Sequence, residues 1–365
     1  MVPYKQPYHW SQGIVHAACV VLVEVQTNEG VTGYGECIGT PSAPAIEAHL
    51  RLAEGMCLNR SPFENARLMK EVYHALFESF GTCSSPRYAG QLLAGLEMAL
   101  WDVMGKASGR AVHELLGGAV RDEIQYFGFP QGETAQEVAA WAKQLADEGC
   151  SVFYVKVGRG DALDLEVVEQ VRAVIGPDCR LRLDPNEHWG RLTASRMIPK
   201  VAEFDIEFIE QPTHCESISA LAQVRQASPV AIAADQAVFT PAEVYDVCRE
   251  NAADLIVLGL HETGGITNFR KAAHIAEAAG INICTHGLYE TGITTCAMNQ
   301  AAATIVNLDD GNQYMNHFLQ WDIVKHPNLE LKNGRLPVLT GPGLGFQLDD
   351  DAVERAKELY VKSVQ

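Results

Sequence analysis

The chain has 365 residues, of which 47% are hydrophobic and 20% charged, a composition that is typical of globular proteins and excludes a disordered chain. Its 46 acidic and 28 basic residues give a formal net charge of −18. Because so acidic a surface repels phosphate backbones and anionic lipids, neither nucleic acid nor a membrane is expected as a partner. At about 100–200 residues per domain, the length allows two domains or one large barrel with an accessory part.

The ten cysteines form no Cys-x-x-Cys pair and no zinc-binding spacing, so we interpret them as reduced thiols. No signal sequence with a basic start and an apolar core is present, and the apolar run Ile14–Val25 is too short to cross a bilayer. The sequence therefore predicts a soluble, cytoplasmic protein.

The first part of the chain predicts an α+β domain. Residues 18–25 and 31–36 are rich in β-branched residues and flank the turn sequence 28–30, a pattern that is typical of a β-hairpin. From residue 45 to 107 the apolar residues recur three and four positions apart, which indicates helices.

From about residue 125, short apolar runs alternate with amphipathic helical segments, which indicates parallel strands joined by crossover helices. A (β/α) barrel needs about 200–250 residues, and the stretch from 125 to 325 fits that length. The alternative, an open doubly wound sheet, would need a glycine-rich fingerprint after its first strand, and residues 127–130 are not followed by one. The predicted strands are 126–130, 153–157, 181–184, 208–210, 231–235, 255–260 and 281–285.

Charged residues stand where these predicted strands end. Lys156, Asp184, Glu210 and Asp235 end the second to fifth strands, at intervals of 28, 26 and 25 residues. Two further intervals of 25 and 26 residues lead through Leu260 to His286 on the seventh strand. Because one strand–helix unit repeats at about this interval, we expect these side chains at one level of the barrel rim, where barrel enzymes build their active sites.

Three carboxylates brought together repel one another, so this rim predicts a bound cation. Oxygen ligands without cysteine favour Mg²⁺, with Mn²⁺ as a substitute. The cation would bind a substrate carboxylate and stabilise an enolate beside it. Lys156 and His286, on strands at opposite sides of the metal strands, would then face the substrate as general acid and base.

Three of these residues also have a structural interpretation: Asp184 as a helix cap, Lys156 as a surface lysine and His286 as a core histidine. The even spacing of the whole series favours a shared site. The weaker candidates for substrate contact lie in neighbouring loops, namely Tyr8, His9 and Trp10 as a lid, Asn186 after the first metal ligand, and Glu290 beyond His286.

Several short motifs resemble the enolase superfamily, and most closely its mandelate racemase / muconate lactonizing enzyme group. The motifs are VKVG at 155–158, LDPN at 183–186, IEQP at 209–212, ADQ at 234–236, GGI at 264–266 and LEMALWDVMGK at 96–106. The resemblance implies a (β/α)₇β modified TIM barrel at 119–325, an N-terminal α+β capping domain at 1–118 and a C-terminal segment at 326–365 that returns to the capping domain.

For the chemistry, the resemblance implies Mg²⁺ on Asp184, Glu210 and Asp235. It implies removal of a proton α to a carboxylate of a small substrate, through a metal-stabilised enediolate. It also implies a homo-oligomer.

The chain departs from the group's pattern at four places. Tyr154 replaces the first lysine of a Lys-x-Lys pair, so it can line the site but cannot lower the pKa of Lys156 by charge. Gly259 stands where racemase-like members carry the aspartate that orients the histidine and lactonizing members carry a second lysine, so Glu262 or His261 would have to act instead. The glutamate of the eighth strand is replaced near Asn312 or Gln313. A strand is also expected to be missing before the segment matching Pro3–Trp10.

The sequence therefore predicts a Mg²⁺-dependent lyase or isomerase that acts on a small carboxylate. A hydroxy-acid dehydratase ranks slightly above a racemase or epimerase, and a muconate-type cycloisomerase comes third. A metal-binding family member without catalytic activity is the rival from a different class. Substrate specificity is assigned to the loops Tyr8–Gln12, Cys83–Tyr88 and Leu288–Thr291.

Overall fold

The structure, a computed structural model, describes residues 1–78 and 86–364. Two antiparallel hairpins open the chain. Strand β1 (Val2–Trp10) pairs with β2 (Gly13–Ala18), and β3 (Val20–Gln26) pairs with β4 (Thr32–Ile38). The second hairpin is the one predicted from the turn sequence, whereas the first was not predicted and carries the proposed lid residues next to its turn.

Helices complete the N-terminal α+β region. The long helix α3 (Pro86–Ser108) packs very closely on β4, since a Cβ on Gly35 would lie only 2.0 Å from the carbonyl oxygen of Gly95. Glycine at both positions therefore lets the sheet and helix backbones touch. The helices are α1 (Ala43–Cys57), α2 (Asn65–Tyr73), α3 (Pro86–Ser108) and α4 (Val112–Leu115).

After the short strand β5 (Glu123–Gln125), a six-stranded parallel sheet forms the wall of the barrel. Its strands follow chain order, and nearly all of their residues are buried, as expected for parallel strands covered on both faces. They are β6 (Val152–Lys156), β7 (Arg180–Asp184), β8 (Ile206–Glu210), β9 (Ala231–Ala234), β10 (Leu255–Leu258) and β11 (Asn282–Thr285).

Single parallel bridges close this sheet into a barrel. Gly128 pairs with Phe153 at one edge, Ile283 pairs with Leu308 at the other, and Tyr126 pairs with Asn312 between them. The segments around 126–128 and 308–312 thus act as the first and eighth barrel strands, which confirms the predicted modified TIM barrel.

Helices follow the barrel strands as predicted. Threonine capping boxes at Thr134 and Thr240 begin two of them, since each threonine accepts from the backbone three residues on while a glutamate there reaches back. The helices are α5 (Ala135–Asp147), α6 (Asp161–Ile175), α7 (Arg191–Val201), α8 (Ile218–Ala227), α9 (Pro241–Arg249), α10 (Leu260–Thr263), α11 (Ile266–Ala278) and α12 (Gly292–Ala302).

The end of the chain returns to its beginning. The amide of Leu344 donates to Asp102 of α3 at 2.8 Å, and the amino terminus of Met1 donates to the carbonyl of Ala356 at 3.1 Å. The domain limits at 118 and 325 stay a prediction. The last elements are β12 (Val324–His326), β13 (Arg335–Pro337), β14 (Gln347–Leu348) and α13 (Asp350–Val364). Among the described residues, no helix has both the length and the apolar character needed to cross a bilayer.

Two buried carboxylates fasten the N-terminal region to the barrel. Glu97 of α3 accepts the amides of Ile266 and Thr267 at 2.8 and 3.1 Å, at the start of α11. Glu36 of β4 accepts from both the amides and the hydroxyls of Thr291 and Thr294, over 2.6–3.0 Å, at the start of α12. Helix N-termini attract negative charge, so these contacts hold the two parts together and fix the loop that follows β11.

Candidate active site

The evenly spaced charged residues of the sequence meet at one end of the barrel. Lys156, Asp184 and Glu210 are the last residues of β6, β7 and β8, while Asp235 follows β9 and His286 follows β11. Each of the five is at most 8% exposed. Because parallel strands run in one direction, all five side chains belong to the same rim.

Asp184 is the best-contacted of the three carboxylates. Its Oδ2 accepts from Lys156 Nζ at 2.5 Å and from the Tyr154 hydroxyl at 2.5 Å. Its Oδ1 accepts from the backbone amide of Asn186 at 2.7 Å. The predicted alternative, a cap for the following helix, does not apply, because α7 begins at Arg191 and its N-cap is Gly190.

Tyr154 lies between two of the carboxylates. Its hydroxyl is 2.5 Å from Asp184 Oδ2 and 2.6 Å from Glu210 Oε1. Burial raises the pKa of this phenol well above its usual value. With a single proton, the hydroxyl can donate to only one carboxylate at a time. Tyr154 thus supplies a donor, but no charge, where the group's pattern has a lysine.

The remaining carboxylate groups have few donors. Asp235 Oδ2 is buried and has no hydrogen-bond partner among the described residues. Burial, together with the neighbouring Asp184 and Asp235 charges, raises the pKa of Glu210 well above its usual value, and burial raises the pKa of Asp235 to about 7. Three buried carboxylates whose negative charge is not fully balanced by nearby positive groups suit a hard divalent cation such as Mg²⁺.

Lys156 is a buried cation beside this centre. Burial alone would lower the pKa of Lys156, but the Asp184 carboxylate raises it above its usual value on balance. Its Nζ lies 5.7 Å from the ring centre of Phe129 and 5.2 Å from that of Tyr154. In this arrangement Lys156 carries its proton, which is the form of an acid or an electrostatic anchor.

His286 approaches the centre from the other side. Its Nδ1 lies 2.9 Å from Glu262 Oε1 and 3.4 Å from Asp235 Oδ1. Burial alone would lower the pKa of His286, but Asp235 and then Glu262 raise it to about 10. Of the two substitutes that the sequence allowed, Glu262 is the one that reaches the histidine. His261 instead pairs its Nε2 with the Thr294 hydroxyl at 2.9 Å.

The proposed lid residues have different environments. Tyr8 is buried, and its ring meets those of Phe129 and Tyr289 edge-on at 5.6 and 6.1 Å. Trp10 meets Tyr289 edge-on at 6.4 Å. The His9 amide donates to Gln131 Oε1 at 2.9 Å. The first hairpin therefore adds aromatic rings to the wall beside Lys156.

The other candidates hold the loop after β11 or lie beside the predicted metal ligands. Glu290 Oε2 accepts from the Leu288 amide at 3.0 Å, and Gln313 Nε2 donates to the Gly287 carbonyl at 2.9 Å. Asn186 is buried with a left-handed φ of 43°, and its Oδ1 has no partner among the described residues.

Of the predicted specificity loops, residues 83–85 lie outside the described residues, and Tyr88 belongs to α3, where it packs against His49. Phe129 is a site residue that sequence reasoning missed. Its signal was available, because Phe127 and Phe129 alternate with glycine at the end of the first predicted strand and so point to one face.

Comparison with known families agrees with this geometry. Residues 1–117 match the mandelate racemase / muconate lactonizing enzyme N-terminal domain, and residues 137–352 match the enolase C-terminal domain-like family. The chain belongs to the mandelate racemase / muconate lactonizing enzyme group of the enolase superfamily. The predicted resemblance, and the prediction of an enzyme of this superfamily, are confirmed.

Individual relatives span nearly the whole chain. Muconate cycloisomerase 1 of Rhodococcus opacus is 31% identical over 97% of this chain and 95% of its own length. The L-Ala-D/L-Glu epimerase of Bacillus subtilis superposes with a TM-score of 0.87 at 26% identity, over 94% of this chain and 95% of that one. A dipeptide epimerase of Cytophaga hutchinsonii, solved with Mg and a dipeptide, has the same fold at a TM-score of 0.89 and 23% identity, over 96% and 94% of the chains.

Proposed function

We propose that this enzyme uses Mg²⁺ and removes a proton from the carbon α to a carboxylate of a small substrate. The observation that carries the proposal is the convergence of two buried basic side chains on one carboxylate centre. Lys156 Nζ lies 2.5 Å from Asp184 Oδ2, and His286 Nδ1 lies 3.4 Å from Asp235 Oδ1. A substrate held at this centre would have one such group on either side.

Asp184, Glu210 and Asp235 would hold the metal. When bound, Mg²⁺ supplies positive charge that favours the negative charge developing on the substrate carboxylate during proton removal. The chain's own contribution is the pair Lys156 and His286. The group that is in its unprotonated form takes the α-proton, and the protonated one gives a proton at a second position. Their burial keeps bulk water away from both groups.

Dehydration of a hydroxy acid remains the first reaction in this proposal. One of the two groups removes the α-proton, and the other protonates the departing hydroxyl so that it leaves as water. This reaction needs one base and one acid with fixed roles. Lys156, whose Nζ lies 2.5 Å from Asp184 Oδ2, suits the fixed role of the acid in its protonated form.

Racemisation or epimerisation is the second candidate, and the contact between Glu262 and His286 favours it. Each group must then serve as both base and acid, so each needs a partner that adjusts its proton affinity. Glu262 supplies that partner to His286 at 2.9 Å. The likeness to an L-Ala-D/L-Glu epimerase supports the same reaction class.

Cycloisomerisation comes third, although a muconate cycloisomerase is among the relatives. The group's lactonizing members are expected to use two lysines, on the second and sixth strands. Here Gly259 directly follows the sixth strand, β10, so a second lysine is not supplied from that position.

The test is α-proton exchange in D₂O. The protein would be incubated with Mg²⁺ and a library of hydroxy acids, amino acids and dipeptides, with deuterium incorporation and dehydrated products followed by NMR. We expect exchange in at least one compound, loss of exchange with EDTA, and none in a Lys156→Ala/His286→Asn double variant. Absence of both exchange and product throughout the library would favour the non-catalytic alternative.

A further inference from the structure

The contact between Glu262 and His286 depends on a glycine three residues before the glutamate. A Cβ built on Gly259 would lie 1.8 Å from Glu262 Oε2 and 2.7 Å from Glu262 Cδ, far inside van der Waals contact. The backbone of Gly259 is ordinary and extended, with φ −109° and ψ 154°, so no conformational demand explains the glycine. The space that a side chain at 259 would need is filled by the Glu262 carboxylate.

Burial also makes His286 the main partner of the Glu262 carboxylate. The residue is 2% exposed, and its Oε1 is 2.9 Å from His286 Nδ1. Neither atom has a hydrogen bond of regular geometry to any group within residues 1–78 and 86–364, so the contact between them is an ion pair. A buried carboxylate without partners is costly, so the imidazole is what makes this burial tolerable.

We propose that Glu262 is the positioning residue of His286 and that it delivers its carboxylate from helix α10, through the space left open by Gly259, rather than from the end of β10. Glu262 fixes the ring so that Nδ1 faces the carboxylate and Nε2 is free to face the reacting carbon. This inference rests on the proposed function for the role of His286, but its geometric part does not.

The first experiment tests whether a side chain at position 259 and the Glu262 carboxylate compete for the same space. It needs no substrate. Gly259→Ala should lower the midpoint of thermal unfolding in the wild-type background, because the new methyl group displaces the carboxylate. In a Glu262→Ala background the same substitution should cost nothing. An equal fall in the unfolding midpoint in both backgrounds would contradict this competition, since a double-mutant cycle isolates the interaction between two residues.

The second experiment locates the proton on His286 in ¹⁵N-histidine-labelled protein with Mg²⁺, the signal being identified by its loss in His286→Asn. We expect Nδ1 to carry a proton in the wild type and to lose it in Glu262→Ala, where the neutral ring takes the Nε2-protonated form. A variant that moves the carboxylate to the strand end, Gly259→Asp/Glu262→Ala, should restore it. The matched control is Glu277→Ala, which removes an exposed carboxylate 3.1 Å from His274 and should leave the His286 signal unchanged.

The third experiment uses whichever acid of the D₂O library exchanges with the wild type. Glu262→Ala should slow exchange on the His286 side by about 10–100-fold and spare the Lys156 side, and the relocated carboxylate should recover most of the loss. Equal exchange on both sides in Glu262→Ala would overturn the positioning role. If no acid exchanges at all, the proposed function fails, whereas the unfolding and NMR experiments still decide the role of Glu262.

Discussion

Two groups of buried carboxylates in this protein have opposite surroundings. Glu36 and Glu97, which join the N-terminal region to the barrel, each accept from several donors: Glu36 from two amides and two hydroxyls, and Glu97 from two amides, the Thr267 hydroxyl and the Trp101 indole. At the barrel rim, Glu210 shares a single phenol proton with Asp184, and Asp235 Oδ2 has no partner among the described residues.

We interpret the difference as one between carboxylates that stabilise the fold and carboxylates that would bind a cation. Both groups are fully buried, and burial raises the pKa of Glu36 and Glu97 as it does that of Glu210 and Asp235. What distinguishes them is the number of protein donors that compensate the charge. Glu210 and Asp235 are therefore expected to gain from a cation, and the joining carboxylates are not.

The largest expected effect is the loss of activity on changing a metal ligand. Glu210→Gln, Asp235→Asn and Asp184→Asn should each weaken Mg²⁺ binding and reduce turnover by at least about 10³-fold, because several kcal/mol of charge stabilisation are lost. Calorimetric titration with Mg²⁺ checks the binding, and EDTA followed by Mg²⁺ or Mn²⁺ checks the activity. In EDTA, the unfolding midpoint of Asp235→Asn should not fall. Full Mg²⁺ affinity in all three variants would disprove the metal site.

The next largest effect is expected at the two residues proposed to transfer protons. Lys156→Ala and His286→Asn should each slow the step they serve by about 10²–10⁴-fold, since each group reaches one side of the reacting carbon. In a racemase, each variant loses exchange from one enantiomer. In a dehydratase, one variant loses exchange and the other exchanges the proton without losing hydroxide. Deuterium incorporation followed by NMR distinguishes these outcomes, and near-wild-type turnover in both variants would remove the two residues from the mechanism.

The joining carboxylates predict a loss of stability without a loss of metal binding. Glu36→Gln places amide protons against the donors at the start of α12, so we expect the free energy of unfolding to fall by about 2–3 kcal/mol. Urea unfolding measures this change, and Mg²⁺ affinity of the folded variant should match that of the wild type. A variant that kept its stability but lost Mg²⁺ affinity would reverse the distinction between the two groups.

The smallest effect is expected from Tyr154→Phe, which removes the hydroxyl between Asp184 and Glu210. Without this donor the metal-free protein should lose about 1–3 kcal/mol, because a buried charged acceptor loses its hydrogen bond. A cation no longer competes with the phenol proton, so the rise in unfolding midpoint on adding Mg²⁺ should be larger than in the wild type. An identical Mg²⁺-induced rise in both proteins would show that the hydroxyl and the cation do not compete for the same carboxylates.

Much of the barrel and of its rim was predictable because both depend on local periodicity. Strand–helix alternation indicated the barrel, and the regular interval between Lys156, Asp184, Glu210 and Asp235 placed all four at strand ends. The capping domain and the family followed from the motifs around these residues, whereas the assignment of metal ligands stays a prediction. The first hairpin, β1–β2, was missed because apolar and polar residues do not alternate clearly up to His9 and Trp10. The turn at 11–12 also lacks an Asn-Gly pair.

By itself, the sequence determined which residue types stand at the ends of the barrel strands, because a strand–helix repeat converts spacing along the chain into height in the barrel. It could not decide what compensates each charge. Glu262 reaches His286 through the space beside Gly259, Tyr154 lies between two carboxylates, and Glu36 accepts hydrogen bonds at the start of α12. These arrangements depend on side-chain direction or on contacts between residues that are far apart in the chain. Such contacts are set by packing in three dimensions, and only the tertiary structure decided them.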